Sequence, residues 1–244
     1  MAESASPEAA GAAATALPTF KGRAGWEFTD ISRLDLAAYE RTLPGPLTGA
    51  VAPLFGLPAD PPALPDGVYV GPLDDAPAEL LQGRLGSLLS ADEDAFVALN
   101  EAGPRAGTLV WVPRGVVVEQ PISLAAVQQR AGTLVNQRTL IVLESGAQAE
   151  VWEQLLSGEP ELDGVFNLAT ELIVSDGARL RYVCGQGLSE RSWIFGAQRA
   201  EVGRDGSLDW VALGFGSVRG HVRMETRLSG EGADARVTGA YATR

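Results

Sequence analysis

Phe96-Val97-Ala98-Leu99-Asn100, then Gly107-Thr108-Leu109-Val110-Trp111-Val112-Pro113-Arg114-Gly115-Val116-Val117-Val118-Glu119 and Pro121-Ile122, is the stretch on which the fold turns. Before Gly107 the apolar residues recur at helical spacing or sit among prolines. After it the period is 2, the signature of strands with one buried face. Ala147, Ala149 and Val151 alternate with Gln148, Glu150 and Trp152. Ala178, Leu180 and Tyr182 alternate with Arg179 and Arg181. Leu208, Trp210 and Ala212 alternate with Ser207, Asp209 and Val211, and Ala235 and Val237 with Asp234, Arg236 and Thr238. Each run follows a glycine turn, and each turn follows another strand-like run.

The turn glycines Gly115, Gly146, Gly177, Gly206 and Gly232 stand 31, 31, 29 and 26 residues apart. A near-constant period in this range marks a repeat architecture. Each unit holds two or three strands and no helix, which predicts a mainly β protein, a parallel β-helix with one unit per coil. The competing arrangement is an antiparallel sandwich, whose strands also recur at short intervals. The regular spacing favours the β-helix. The strand pattern continues to the last residues, and no capping element follows it. A solenoid needs a cap over its terminal strand edges, so the sequence reads as part of a longer protein or as one capped by a partner chain.

Upstream, residues 1–16 are Ala-rich with too little apolar bulk to offset their ordering entropy, and read as a disordered tail. Residues 17–103 read as a helical and loop region, and 104–244 as the β-helix core. Thr29 or Asp30 is placed to cap a short helix through Ile31, Leu34, Leu36 and Tyr39. Seven of the 15 prolines fall in 44–66, which makes that stretch loop or extended chain. Asp74 to Leu89 reads as a second helix and Asp92 to Asn100 as a third.

Composition bounds the function. Apolar residues make up 45% and charged residues 20%, as in ordinary globular domains. The net charge of −12 argues against a nucleic-acid groove or an anionic membrane surface. No apolar run approaches the length of a membrane span, and the N-terminus lacks a secretory signal, so a cytoplasmic location is expected. One cysteine, Cys184, excludes an intrachain disulfide and suits a reducing compartment.

The chemistry-bearing residues are few. Glu144, Glu150, Glu153 and Glu171 lie on neighbouring candidate strands, where a β-helix would bring some together for acid/base work or Ca²⁺ binding. With 31 acidic residues in the chain, proximity by chance is common, and their alternation with apolar positions reads as water-facing. His221 is the single histidine. One His and one Cys cannot build a structural zinc site. A Cys184–His221 nucleophile pair would require two positions 37 residues apart to meet on adjacent coils. There is no P-loop pattern, and Lys21 is the only lysine. The glycine cluster Gly214 to Gly220 reads as a turn. Trp152, Trp193, Trp210 and Phe215 lack the basic interleaving of a nucleic-acid platform. No residue receives a catalytic or cofactor-binding role, and metal ligation is not assigned. The residues point to a scaffold or interaction protein. A β-helical carbohydrate-active enzyme and a purely structural solenoid that assembles end to end are the alternatives.

Several pieces, in order, resemble one family. Leu17-Pro18 and Gly25-Trp26-Glu27-Phe28-Thr29-Asp30 come first. Then follow Phe96, Ala98, Leu99 and Asn100; Val112-Pro113-Arg114-Gly115-Val116; and Pro121-Ile122. Gly230-Glu231-Gly232-Ala233 and Gly239-Ala240-Tyr241 close the series. Together they resemble the SufB/SufD family of iron–sulfur cluster assembly, on the SufD side of it. The resemblance covers about residues 17–244. It implies an N-terminal helical region, a right-handed parallel β-helix and a C-terminal helical domain that this sequence does not reach. It further implies a non-catalytic subunit that pairs with a SufB-like chain and is worked by a SufC-like ATPase docked on that C-terminal domain. No cofactor would be held by this chain alone, since the complex assembles the cluster transiently. The family's functional Cys and His positions lie late in the chain, so none is carried over to Cys184 or His221.

Overall fold

The computed structural model describes residues 26–27, 29–49, 51–56, 63–92, 94–103 and 106–242. The stretch 1–16, read above as a tail, lies outside the described residues. Two short strands, β1 (Glu40–Thr42) and β2 (Tyr69–Pro72), and two short helices, α1 (Ala78–Leu81) and α2 (Ala95–Glu101), precede a run of longer strands. These are β3 (Ala106–Val112), β4 (Ile122–Gln128), β5 (Thr133–Leu143), β6 (Gln148–Ser157), β7 (Gly164–Val174) and β8 (Arg179–Gly187). They continue with β9 (Trp193–Val202), β10 (Ser207–Gly214), β11 (Arg219–Leu228) and β12 (Asp234–Tyr241).

Odd strands β3 to β11 form one sheet and even strands β4 to β12 a second, and every pairing within these two sets is parallel. The chain crosses from one sheet to the other at each glycine turn. Each odd–even pair is therefore one coil, and the coils stack into a β-solenoid of about five turns. The antiparallel sandwich is excluded by the strand directions. Inward residues stack in ladders. Ile122, Val151, Tyr182 and Trp210 form one on the even sheet, and Val110, Ile141, Leu172 and Ala200 one on the odd sheet. All eight are buried, so the period-2 pattern has placed one face of each strand in a continuous apolar lumen.

The turns stack as well. Gly115, Gly146, Gly177 and Gly232 hold φ between 68° and 74°, a region that costs glycine little and other residues more. The N–H groups of Gly115, Gly146 and Gly177, and the corresponding one in the fourth turn, bond to the turn one coil further on. Gly115 donates to Ser145 O at 3.0 Å, Gly146 to Asp176 O at 2.9 Å and Gly177 to Arg204 O at 2.8 Å. The fourth turn differs: its left-handed residue is Asp205 (φ 54°), not Gly206, and it donates to Glu231 O at 2.9 Å. Aspartate tolerates this conformation better than most residues. Gly206 instead takes the buried inner corner that Ala147 and Ala178 fill in the preceding coils.

Outside the lumen, charged residues adjacent across coil boundaries carry opposite signs. Arg181 lies 3.4 Å from Glu150 and 3.5 Å from Asp209 on the even sheet, and Arg227 lies 3.7 Å from Glu201 on the odd sheet. Each exposed pair stabilises by only about 0–1 kcal/mol. Their consistent alternation disfavours slipped registers.

The N-terminal residues wrap this solenoid. β1 pairs with the start of β5, Gly45 bridges Val127 of β4, and β2 pairs antiparallel with β3. The helical reading of this region is shortened in three places. Between Asp74 and Leu89 only α1 forms, because Gly83 (φ 71°) and Gly86 (φ 77°) break the helix. The helix near Ile31 is a single 3-10 turn, Leu36–Ala38, capped by Asp35 and not by Thr29 or Asp30. The third helix is α2, capped by Asp94, whose carboxylate accepts the Phe96 N–H at 2.7 Å.

The motif at α2 has a physical reason. Phe96 stacks on Phe195 of β9, with centroids 4.2 Å apart. Leu99 is buried. Asn100 donates to the carbonyls of Gln137 at 3.0 Å and Asn167 at 3.3 Å, on neighbouring strands. Asn167 returns a bond to Phe96 O at 2.8 Å and another to Asn136 at 2.9 Å. An asparagine ladder thus holds α2 on the outer face of the odd sheet.

Candidate functional site

The inward positions of the lumen are not all apolar. On the even sheet the ladder Leu124, Glu153, Cys184, Ala212 carries a carboxyl and a thiol in adjacent coils. Glu153 accepts a hydrogen bond from Thr139 at 2.6 Å and a short one from the Tyr182 hydroxyl. Cys184 accepts a contact from Gln198 Nε2 at 3.7 Å, and the same nitrogen donates to Thr170 at 3.3 Å. These six side chains, drawn from both sheets, form a buried polar layer within an otherwise apolar core.

Burial dominates the electrostatics of this layer. It raises the Glu153 pKa against the opposing hydrogen bonds from Thr139, Tyr182 and Gln137. Burial, then the Cys184 and Glu153 charges, push the Tyr182 phenol well up. The Cys184 thiol is pushed up to about 12, again by burial first and the Glu153 charge second. A thiol so held is not the thiolate that attacks or ligates metal at neutral pH. Cys184 and Gln198 line one wall of a 780 Å³ cavity, together with Gln186, Met224, Phe215 and Tyr241. We expect Cys184 to alkylate much more slowly in the folded protein than in the unfolded chain, because the folded thiol seldom ionises. Labelling with iodoacetamide at mildly alkaline pH, with and without urea, checks this, and rapid labelling of the folded protein would refute it.

The other sequence candidates do not join this layer. His221 lies on β11 beside Val222, which packs on the lumen core. Its own ring is on the opposite, outer face, stacked on Trp26 with centroids 4.1 Å apart. The Cys184–His221 pair is therefore not formed, because the two residues occupy opposite sides of the sheets. Nor do the four glutamates converge. Glu144 pairs with Arg84 at 2.7 Å and accepts from the Trp111 ring at 3.3 Å. Glu150 sits on the outer face between Arg181 and the Trp152 ring nitrogen, which donates at 2.6 Å. Glu153 is in the lumen. Glu171 is outward on β7 but fully buried beneath residues 86–89. The water-facing reading fails for Glu153 and Glu171. Among the described residues no group of three or more His, Cys, Asp or Glu is arranged to hold a metal ion.

Part of this was available from parity. Ala147, Ala149 and Val151 point inward, so Glu153 must as well, and Thr139 shares its parity with Ile141 and Leu143. No sequence signal marked Glu171, because what covers it lies some 85 residues upstream.

Two family models match consecutive parts of the chain. "SufBD protein N-terminal region" covers residues 55–124, the later part of the wrap and the first coil. "SUF system FeS cluster assembly, SufBD core domain" covers 126–244, the remaining coils. Among curated proteins, the iron–sulfur cluster assembly protein SufD of Bacillus subtilis is 32% identical over 128 residues, 52% of this chain and 29% of the relative. An iron–sulfur cluster assembly SufBD family protein of Staphylococcus epidermidis is 26% identical over 155 residues, 64% of this chain and 33% of the relative. A Staphylococcus haemolyticus relative of the same description matches at 26% over 155 residues. The chain thus spans about a third of the length of these relatives.

Proposed function

The chain belongs to the SufB/SufD family of the SUF iron–sulfur cluster assembly system, and from that premise we propose that it serves as a scaffold subunit of a SufBCD-type complex, not as an enzyme. It would pair with a SufB-like chain, be driven by a SufC-like ATPase, and act in the cytoplasm. The cluster would be its transient cargo and not a resident cofactor. The observation that carries this reading is the order of the two matches, wrap then solenoid, along one chain.

The geometry supports it in one further respect. Each of the four glutamates that would have served a hydrolase is engaged in a separate structural contact. Cys184 is held as a protonated thiol. None of the described helices is long and apolar enough to cross a membrane.

The test begins with the purified chain. We expect no ATP hydrolysis and no stoichiometric iron after desalting, and co-elution with a SufB-like chain when the two are co-expressed. Iron retained through desalting and lost in Cys184→Ala would overturn the non-catalytic, cofactor-free reading. ATP hydrolysis by the chain alone would overturn the division of labour with an ATPase.

A further inference from the structure

Residues 26–27 and 29–38 run along the outer face of the odd sheet, and their hold on the last coil is concentrated at β11. The Trp26 indole is buried and stacks on the His221 ring at 4.1 Å. It continues into Phe96 at 5.7 Å and Phe195 at 6.2 Å. Phe195 stacks in turn on Trp193 at 5.9 Å. Thr29 Oγ1 lies 3.5 Å from His221 Nδ1, and Asp30 pairs with Arg219 of β11 at 3.4 Å. The single histidine of the chain thus sits at the outer end of an aromatic stack that ties the wrap to the fifth coil.

We propose that His221 and Trp26 form an acid-sensitive clasp: protonation of the imidazole releases residues 26–36 from β11 and uncovers the aromatic face of Trp193, Phe195 and Phe96. The charged groups around the ring decide the direction. Asp94 from the cap of α2 and Glu27 from the wrap favour the imidazolium, while Arg223 on β11 opposes it. Asp30 of the wrap is already engaged by Arg219. Burial against the indole is the largest influence, and it disfavours the charge. A cation over the Trp26 face would recover part of that cost, but the ring is half-buried and its net preference is for the neutral form.

The sign of the linkage follows. The clasped histidine gives up its proton more readily than a free one, whose ordinary pKa is about 6.5. Above that value both forms are neutral and the clasp is at full strength. As pH falls below it, the released form binds the proton first, and the clasp weakens until the clasped form is itself protonated. One proton changes the opening equilibrium by at most about tenfold per pH unit.

The experiment is hydrogen exchange of residues 26–36, read by mass spectrometry from about pH 7.5 to 5 and corrected for intrinsic exchange. It is run on the full chain and on His221→Phe and His221→Gln. The wild type is expected to lose protection in this segment on acidification, up to several-fold per pH unit, while peptides from β7 stay protected. His221→Phe keeps a stacking ring without a titrating proton, and its protection should be independent of pH. His221→Gln, lacking the ring, should be open throughout. Three outcomes overturn the proposal: a wild-type segment indifferent to acid, one tightened by it, or acid opening that persists unchanged in His221→Phe.

Discussion

Replacing Glu171 by alanine is expected to detach residues 83–90 from the solenoid and to cost about 3–5 kcal/mol. The carboxylate is fully buried and every contact of it is committed. One oxygen accepts the N–H groups of Leu88 at 2.9 Å and Leu89 at 3.3 Å. The other accepts Gly86 N–H at 2.9 Å and the Arg138 guanidinium at 2.8 Å. Removing it leaves three backbone donors without their acceptor and a guanidinium whose side chain is only 10% exposed. Each such orphan costs roughly 1–3 kcal/mol where water cannot reach it. The terms do not add, because released chain lets water in. Glu101, 3.6 Å from Arg138, offsets part of the lost charge pairing.

Two measurements check this. Urea unfolding should give the loss of stability, and native-state exchange should show Gly86, Leu88 and Leu89 among the amides that open. Glu171→Gln keeps an acceptor oxygen and should fall between wild type and alanine. A loss below about 1 kcal/mol in Glu171→Ala, within the range of an exposed pair, would show that the segment does not depend on this carboxylate.

The reason Glu171 escaped the sequence reading is instructive. Parity correctly places it on the outer face of β7, since Leu172 and Val174 point inward. An outer face is solvent only when nothing else packs on it. Here the covering chain is held by bonds spanning more than 80 residues, and local periodicity carries no record of contacts at that range. The solenoid itself was legible because its contacts are between equivalent residues one period apart. Val151, Tyr182 and Trp210 lie in one ladder because their spacing from the turns repeats. The wrap has no such repeat, and its leucines at helical spacing predicted more helix than α1 supplies. What ends α1 is the pair Gly83 and Gly86, whose left-handed conformations hand the chain to Glu171. The aromatic stack was half legible. Trp26 and Phe96 each belonged to a motif, yet nothing in the sequence said that the two rings stack, or that His221 joins them.

Glu153 offers the second large effect, and a sharper test because its two substitutions separate packing from charge. Glu153→Ala leaves the Tyr182 and Thr139 hydroxyls without their acceptor and opens a void in the lumen, at a cost of about 2–4 kcal/mol. Glu153→Gln keeps the volume and one acceptor oxygen but cannot ionise. Burial raises the pKa of this carboxyl in the folded protein, whereas in the unfolded chain it titrates near 4.3. Between the two values the folded state holds a proton that the unfolded state has lost. Stability therefore falls as pH rises through that window, by at most about 1.4 kcal/mol per unit. Below the ordinary carboxylate range this cost vanishes. Urea unfolding from about pH 4 to 8 should then show wild type losing stability relative to Glu153→Gln as pH rises, with the difference levelling off above the folded pKa. Other titrating groups cancel in that comparison. Parallel curves for wild type and Glu153→Gln would mean that the three hydrogen bonds to the carboxylate cancel its burial. The lumen would then carry a fixed negative charge beside Cys184. A difference that keeps growing with pH past neutrality would establish the opposite, a neutral polar layer in which neither the carboxyl nor the thiol is ionised at neutral pH.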